Sequence, residues 1–377
     1  MSSKIVFLAT EDWFVRSHFL PLLRRARADG YEVVVAARDS GVLADEPGVR
    51  VVPLPVARGS LRPGALLRER AAVRAMLAAE RPDVVHAIAL RAILLLLSTG
   101  SGGAGRVFAL TGRGFIGVSR APWARFVGAL LASGMRNAVR CGGVLLVENP
   151  ADRAWVEAGA PLPDANVLQM PGAGVDIARY AAAPEPPPPV IIGSVGRLVR
   201  SKGVDVLVAA HRRLRVQGVA CELHIAGEAD PDNPDDYTPA EIAAWRATPG
   251  VELHGRITDV PGFWARAHIA CAPSRGGEGL PRVLLEAAAC GRPLVASNTP
   301  GCADFILDGE TGLLPAPDDV AGLVQALGAL IPDAALRQRM GAAARARVAA
   351  HYTEAHAGAV AAQAWARALQ ARASAAT

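Results

Sequence analysis

The stretch "SRGGEGLPRVLLEAAACGRPLVAS" (274–297) sets one carboxylate, Glu278, in a glycine-rich loop and a second, Glu286, inside the apolar run 283–289. An ionised glutamate among valines, leucines and alanines loses much solvation unless a partner compensates it, and chains keep such a group mainly when it binds something. Pro281 suits the first position of a helix and Gly291 its end. The amides of Gly279 and Leu280 then precede the positive end of a helix dipole. Glu286 falls roughly 7.5 Å along the axis from Pro281 at about 1.5 Å per residue.

A second segment, "VIIGSVGRLVRSKGVDVLVAA" (190–210), reads as a strand, a turn carrying Gly196, Arg197 and Lys202, and a helix. Amides at such a turn favour anions; Arg197 suits phosphate oxygens with its forked donors and Lys202 adds a point charge. The chain holds 38 arginines and only two lysines, so a lysine here runs against the composition, although an exposed lysine ahead of a helix is the plain alternative. Together the two segments fit a nucleotide sugar: diphosphate at the amides, ribose at one acid, hexose at the other.

The elements that must position these groups follow from the apolar runs. "KIVFLA", "YEVVVAA", "DVVHAIA", "RVFALTG" and "GGVLLVE" alternate with helical stretches in the first half. "VIIGSVG", "CELHIAG", "VELHGR", "IACAPS" and "PLVAS" do so in the second. Buried strands separated by helices predict βαβ units and parallel sheets. Two doubly wound α/β domains are therefore expected, at 1–182 and 190–354, with "APEPPPP" around 183–189 as a stiff linker and a C-terminal helix, about 355–377, returning to the first. Their carboxyl strand ends would face a cleft.

Five scattered cysteines without C-x-x-C spacing fit a reducing cytosol and give no metal cage. No signal segment or membrane-spanning helix is expected, and no metal or cofactor. Residues 1–150 carry +9, with 20 Lys/Arg against 11 Asp/Glu; the remainder carries −4, with 20 against 24. A basic first half suits an anionic partner, and the arginine- and aromatic-bearing stretch 112–140 (Arg113, Arg120, Arg125, Arg136, Phe115, Trp123, Phe126) is the candidate for lying on an anionic bilayer. A solvated arginine-rich face is the alternative. Nucleic acid is not expected, since no binding motif or stacking platform accompanies the charge.

The second half resembles the retaining family-4 glycosyltransferases of the GT-B fold, through "GSVGRLVRSKGVDVLVAA", "LHIAGE", "HGRITDV" and "PSRGGEGLPRVLLEAAACGRPLVASNTPGCADFILDGETGLLPAPDD". The first half adds "FLATEDWFVRSHFLPL", "DVVHAIALRA", "LTGRGFIG" and "VLQMPGAGVD". Within the family the likeness is to bacterial enzymes that extend polyprenyl-diphosphate-linked glycans. The resemblance implies that Gly196, Arg197 and Lys202 meet the donor diphosphate, with Gly279, Leu280 and Pro281 beside them. It sets Glu278 against the donor sugar and Glu286 on the ribose. Gly227, Glu228, Arg256 and Ile257 would bound the base. His86 is implied near the reacting sugar, making His86, Arg197, Lys202 and Glu278 the catalytic candidates. Arg91, Thr111, Gly112 and Arg113 fall on the acceptor side, where Trp13 and His18 are further candidates. Arg275 stands where relatives commonly carry an aromatic.

The implied activity is metal-independent transfer of a hexosyl or N-acetylhexosaminyl group, expected from a UDP-sugar, to a lipid-linked glycan. It would take place at the cytoplasmic face of the plasma membrane. A soluble acceptor, a nucleotide-sugar epimerase and a silent sugar-nucleotide-binding protein remain as alternatives. A dinucleotide dehydrogenase is disfavoured because "FLATEDWF" lacks G-x-G-x-x-G after the first strand.

Overall fold

The computed structural model describes residues 2–56, 63–114, 116, 119, 121–230, 233 and 235–376. Two compact units emerge, one of Met1–Ala173 with Glu354–Thr377, the other of Gly174–Thr353.

The first unit is built on strands β1 (Lys4–Glu11), β2 (Glu32–Arg38), β3 (Val49–Pro53), β4 (Val84–Ile88), β5 (Gly105–Leu110), β6 (Val144–Val147) and β7 (Val167–Gln169). They lie in the order β3-β2-β1-β4-β5-β6-β7, every pair parallel. Near-continuous apolar strands are required because helices cover both faces. In β1, Val6 and Leu8 enter one core and Ile5, Phe7 and Ala9 the other. The helix Glu354–Ala376 closes the second of these cores with Ala357, Ala361, Ala364, Trp365 and Ala368. A Cβ on Gly105 would lie 2.4 Å from the carbonyl oxygen of Ala368, so the glycine sets how closely that helix meets the sheet.

The second unit holds β8 (Val190–Val195), β9 (Cys221–Ala226), β10 (Val251–Gly255), β11 (Ile269–Ala272), β12 (Leu294–Ala296) and β13 (Gly312–Leu313). Their order is β10-β9-β8-β11-β12-β13, again parallel throughout. Two doubly wound α/β units, as the strand–helix rhythm predicts, are thus present. In each sheet the strand order reverses beside the first strand, between β1 and β4 and between β8 and β11, which is where such sheets open a crevice at their carboxyl ends.

The proline-rich stretch is not the boundary. The chain passes between units at Ala173/Gly174, and 183–189 belongs to the second unit. An extended segment cannot satisfy its own carbonyls, and buried side chains of this unit do so. Arg292 donates to the carbonyls of Ala183 (2.9 Å) and Pro184 (3.1 Å), and His268 lies 3.0 Å from that of Pro186. Arg337 pairs with Glu185.

His86, expected near the reacting sugar, is a core residue. It sits mid-strand in β4 with no exposure, stacked on Phe7 at 5.1 Å, and its Nδ1 accepts the indole N–H of Trp365 at 3.0 Å. Burial depresses its imidazole to about 3, so it is neutral, and it contacts no crevice. Trp365→Ala is expected to destabilise the chain by about 3–5 kcal/mol, by removing a fully buried ring. Trp365→Phe should lose only the smaller share carried by the indole hydrogen bond, about 1 kcal/mol. Urea unfolding of both variants checks this, and equal losses would mean that the ring volume is irrelevant.

Candidate functional site

In the second unit a pocket opens at the carboxyl ends of β8, β9 and β11, at the reversal point of the sheet. Gly196, Arg197, Lys202, Ser274, Glu278 and Pro281 are among its lining residues. Lys202 Nζ is ion-paired to the Glu278 carboxylate, so two expected site residues 76 positions apart meet directly. Arg197, half exposed, donates to Asp230 at 2.5 Å.

What brings these groups together is a tight seam between the turn 200–203 and the loop 273–278. Gly203 has a left-handed φ of 68°, and a Cβ there would lie 2.0 Å from the Pro273 carbonyl oxygen. The Arg275 amide donates to Ser201 O at 2.8 Å and Ser274 Oγ to the same oxygen at 3.1 Å. The Arg275 guanidinium reaches across to Asp205 at 2.8 and 2.9 Å and to Asp318 at 2.6 Å. Asp205 in turn accepts from Tyr237 Oη. Arg275 was legible only as a departure from an aromatic; its structural task is to fasten the lysine turn to the glutamate loop. A guanidinium with several acceptors suits that work as no aromatic would.

The remaining donor-side candidates lie on neighbouring strand ends. Gly227 packs so tightly that a Cβ would sit 1.7 Å from Gly196 O. The Glu228 carbonyl accepts the Leu198 amide at 2.8 Å, while its side chain is exposed. Arg256, exposed, and Ile257, partly buried, follow β10. Pro281 is the residue before the helix rather than its first: the helix runs Arg282–Ala289, and Gly279 and Leu280 lead into it. Leu280 is buried, and the Gly279 carbonyl lies against Gly301, where a Cβ would come within 1.5 Å. The carboxyl end closes with Gly291 N–H on Ala288 O (2.9 Å) and Arg292 N–H on Ala287 O (3.0 Å), the paired bonds of a left-handed glycine cap.

Glu286 is 9 % exposed and has partners within the unit. Tyr180 Oη and Arg282 Nε each donate to Oε1 at 2.9 Å. Burial nevertheless dominates and raises its carboxyl above the ordinary range, opposed by Arg282 and Tyr180. Tyr180 is the residue that sequence reading missed, since nothing ties it to a glutamate 106 positions away. Its phenol is pushed upward by burial and by Glu286, so it stays a donor.

In the first unit, the acceptor-side candidates other than His86 cluster at the carboxyl strand ends. Trp13 is 37 % exposed and begins the segment after β1; His18 Nδ1 lies 2.6 Å from Ser17 Oγ. Arg91, after β4, is held by the buried Glu69 at 2.6 Å. Thr111, Gly112 and Arg113 follow β5; Gly112 is left-handed (φ 102°), and Arg113 pairs with the buried Asp152 at 2.9 Å. Arg136, expected on a membrane face, donates instead to the carbonyls of Val156 (2.8 Å) and Ala158 (2.6 Å), so it fastens a loop. Phe115 and Arg120 lie outside the described residues. Parallel pairing of β9 and β10 gathers His224, Glu252 and His254, a grouping that no local motif announces.

Comparison with known proteins matches residues 15–173 to the family described as glycosyl transferase 4-like domain and residues 189–333 to glycosyl transferases group 1. Glycogen synthase of Mycobacterium tuberculosis is 36% identical over 183 residues, 48% of this chain and 43% of that protein. The capsular polysaccharide biosynthesis glycosyltransferase CapM of Staphylococcus aureus is 28% identical over 158 residues, 42% of this chain and 41% of its own length. The matches thus span less than half the length of these curated relatives. Anabaena HepE, solved in complex with UDP and glucose, superposes with a TM-score of 0.75 at 18% identity, covering 97% of this chain and 99% of that one. The fold is GT-B.

Because the raised Glu286 carboxyl binds its proton more tightly folded than unfolded, the folded state holds more protons across that window. Its contribution to stability therefore falls as pH rises from the ordinary 4.5 through the raised value. Glu286→Gln removes that dependence, so the variant should gain on wild type as pH climbs from about 4 to 7. Urea unfolding at stepped pH measures this; parallel stability curves would show the carboxyl to be unperturbed.

Proposed function

Given a glycosyltransferase 4-like domain followed by a glycosyl transferases group 1 domain, we propose that this chain moves a sugar from a nucleotide diphosphate donor to a lipid-linked glycan. The observation that carries the reading is the Lys202–Glu278 pair, set beside Arg197 in a pocket at the sheet reversal of the second unit. A donor diphosphate brought there exchanges the Lys202–Glu278 and Arg197–Asp230 pairings for phosphate oxygens. Cations already placed where the leaving group gathers charge lower the barrier without reorganisation. Glu278, released from Lys202, is left to accept hydroxyls of the sugar.

Glu286 fits the ribose: a carboxylate with one oxygen held by Tyr180 and Arg282 keeps the other for a diol. The donor is a UDP-sugar, carrying a hexosyl or N-acetylhexosaminyl group, and transfer retains the anomeric configuration. Arg197, Lys202 and the helix start supply the positive charge, so the reaction uses no metal and no cofactor. Assembly of a surface polysaccharide or glycoprotein glycan is the setting, consistent with the likeness to CapM. Lys202→Ala should lower turnover by roughly 10²-fold or more with the circular dichroism spectrum unchanged. The assay is a donor screen on membrane-extracted lipid-linked acceptors. Near-normal turnover would remove Lys202 from the site, and donor consumption without any acceptor would favour an epimerase or hydrolase.

The acceptor's lipid calls for a membrane surface, and among the described residues no single helix is long and apolar enough to cross one. The helix Pro122–Arg140 instead presents Trp123, Phe126 and Leu130, 47 %, 65 % and 57 % exposed, at one-face spacing next to Arg125. Peripheral binding at the cytoplasmic face through this stripe is the proposed arrangement. Phe126→Ser with Leu130→Ser and Arg125→Gln should abolish binding to anionic vesicles and spare transfer to a water-soluble acceptor analogue. Wild-type protein that ignores such vesicles at low salt would sink this part.

A further inference from the structure

On the face of the second sheet opposite Leu223, Ile225 and Leu253, the parallel register sets Glu252 beside His224, with His254 and Glu222 one pleat away on the same side. His254 Nε2 lies 3.2 Å from His224 Nδ1. Glu252 Oε1 is 3.5 Å from His254 Nδ1, and Glu222 Oε2 is 3.2 Å from His224 Nε2. Both imidazoles are mostly covered, at 16% and 22% side-chain exposure, and Phe263 packs edge-on against His254 at 5.7 Å.

From this geometry we propose that the β9–β10 edge binds one divalent transition ion, zinc being the reference case, through His224, His254 and Glu252. What decides it is where the donor atoms sit. His224 Nδ1 and His254 Nε2 face each other, while the outer nitrogen of each ring faces carboxylate: Glu222 Oε2 at 3.2 Å and Glu252 Oε2 at 3.6 Å from His224 Nε2, and Glu252 Oε1 at 3.5 Å from His254 Nδ1. A cation between the facing nitrogens is shared by both rings and leaves the outer nitrogens to the carboxylates.

Two nitrogens bound tetrahedrally at about 2.0–2.1 Å lie about 3.3 Å apart, the spacing already present. One donor atom each from His224, Glu252 and His254 lies within 4.8 Å of the other two, leaving further positions for water. A carboxylate on the far nitrogen of a ligating histidine, as Glu222 supplies, orients the ring and raises its basicity. Imidazole and carboxylate together suit zinc, cobalt, nickel or copper and not magnesium. The site does not depend on the proposed reaction.

The test is calorimetric titration of chelator-treated full-length chain with zinc chloride, with magnesium chloride as comparison and cobalt absorption as a second readout. Wild type is expected to take up one zinc per chain, to melt at higher temperature with zinc present, and to ignore magnesium. His224→Gln and His254→Gln should each weaken zinc by at least ~10-fold, and Glu222→Gln by roughly 10–100-fold with the stoichiometry unchanged. Circular dichroism establishes that the variants fold. No saturable uptake by wild type, or the same uptake by a folded His224→Gln/His254→Gln double variant, overturns the proposal.

Discussion

Everything in the second unit's pocket depends on the absence of one methyl group. Gly203 meets the Pro273 carbonyl where any side chain would have to displace backbone, and at a left-handed φ that other residues resist. That approach allows the Ser201 carbonyl to take two donors from the neighbouring loop, and it carries Lys202 to Glu278. A displaced seam would part Lys202 from Glu278 while leaving both side chains present and the fold intact.

The same unit eases its burial problem by pairing. Glu286 could sit in an apolar helix only with donors supplied from within the unit. Tyr180 and Arg282 provide them while leaving desolvation the larger effect on its proton. Tyr180 also lends its backbone, its carbonyl accepting from Arg345 at 3.1 Å, so the residue is anchored at both main chain and side chain. Arg292 and Arg337 do comparable work for the proline-rich stretch, which for this reason is part of the unit and not a hinge.

The sequence carried the fold well, because continuous apolar runs punctuated by helix-length amphipathic segments leave few alternatives to doubly wound parallel sheets. It also singled out Arg197 and Lys202, two cations at an anion-favouring turn, and Glu278, an acid in a glycine-rich loop; the three line one pocket. What it could not carry was partnership at long range. Tyr180 with Glu286, Arg275 with Asp205, and the His224–His254 edge arise from strand order and register, which no local pattern encodes. His86 misled for the opposite reason. A histidine near a strand end invites a chemical reading, but its position two residues before the end of β4 turns it onto the face covered by Trp365. Arg136 misled likewise: charge in an amphipathic helix says nothing about which carbonyl it will find.

The helix Glu354–Ala376 packs on the first unit, although the whole of 174–353 separates it from the rest of that unit. During vectorial synthesis the second unit, one uninterrupted segment, has all of its chain before the first has the helix that covers Phe7 and His86. Until then part of one face of the first sheet lacks its cover, for the time needed to translate about 180 residues at ribosomal rates. Closing so long a loop is entropically slow. The nascent chain is therefore exposed to aggregation while the second unit is being made, and chaperone demand should track the delay before the helix Glu354–Ala376 emerges.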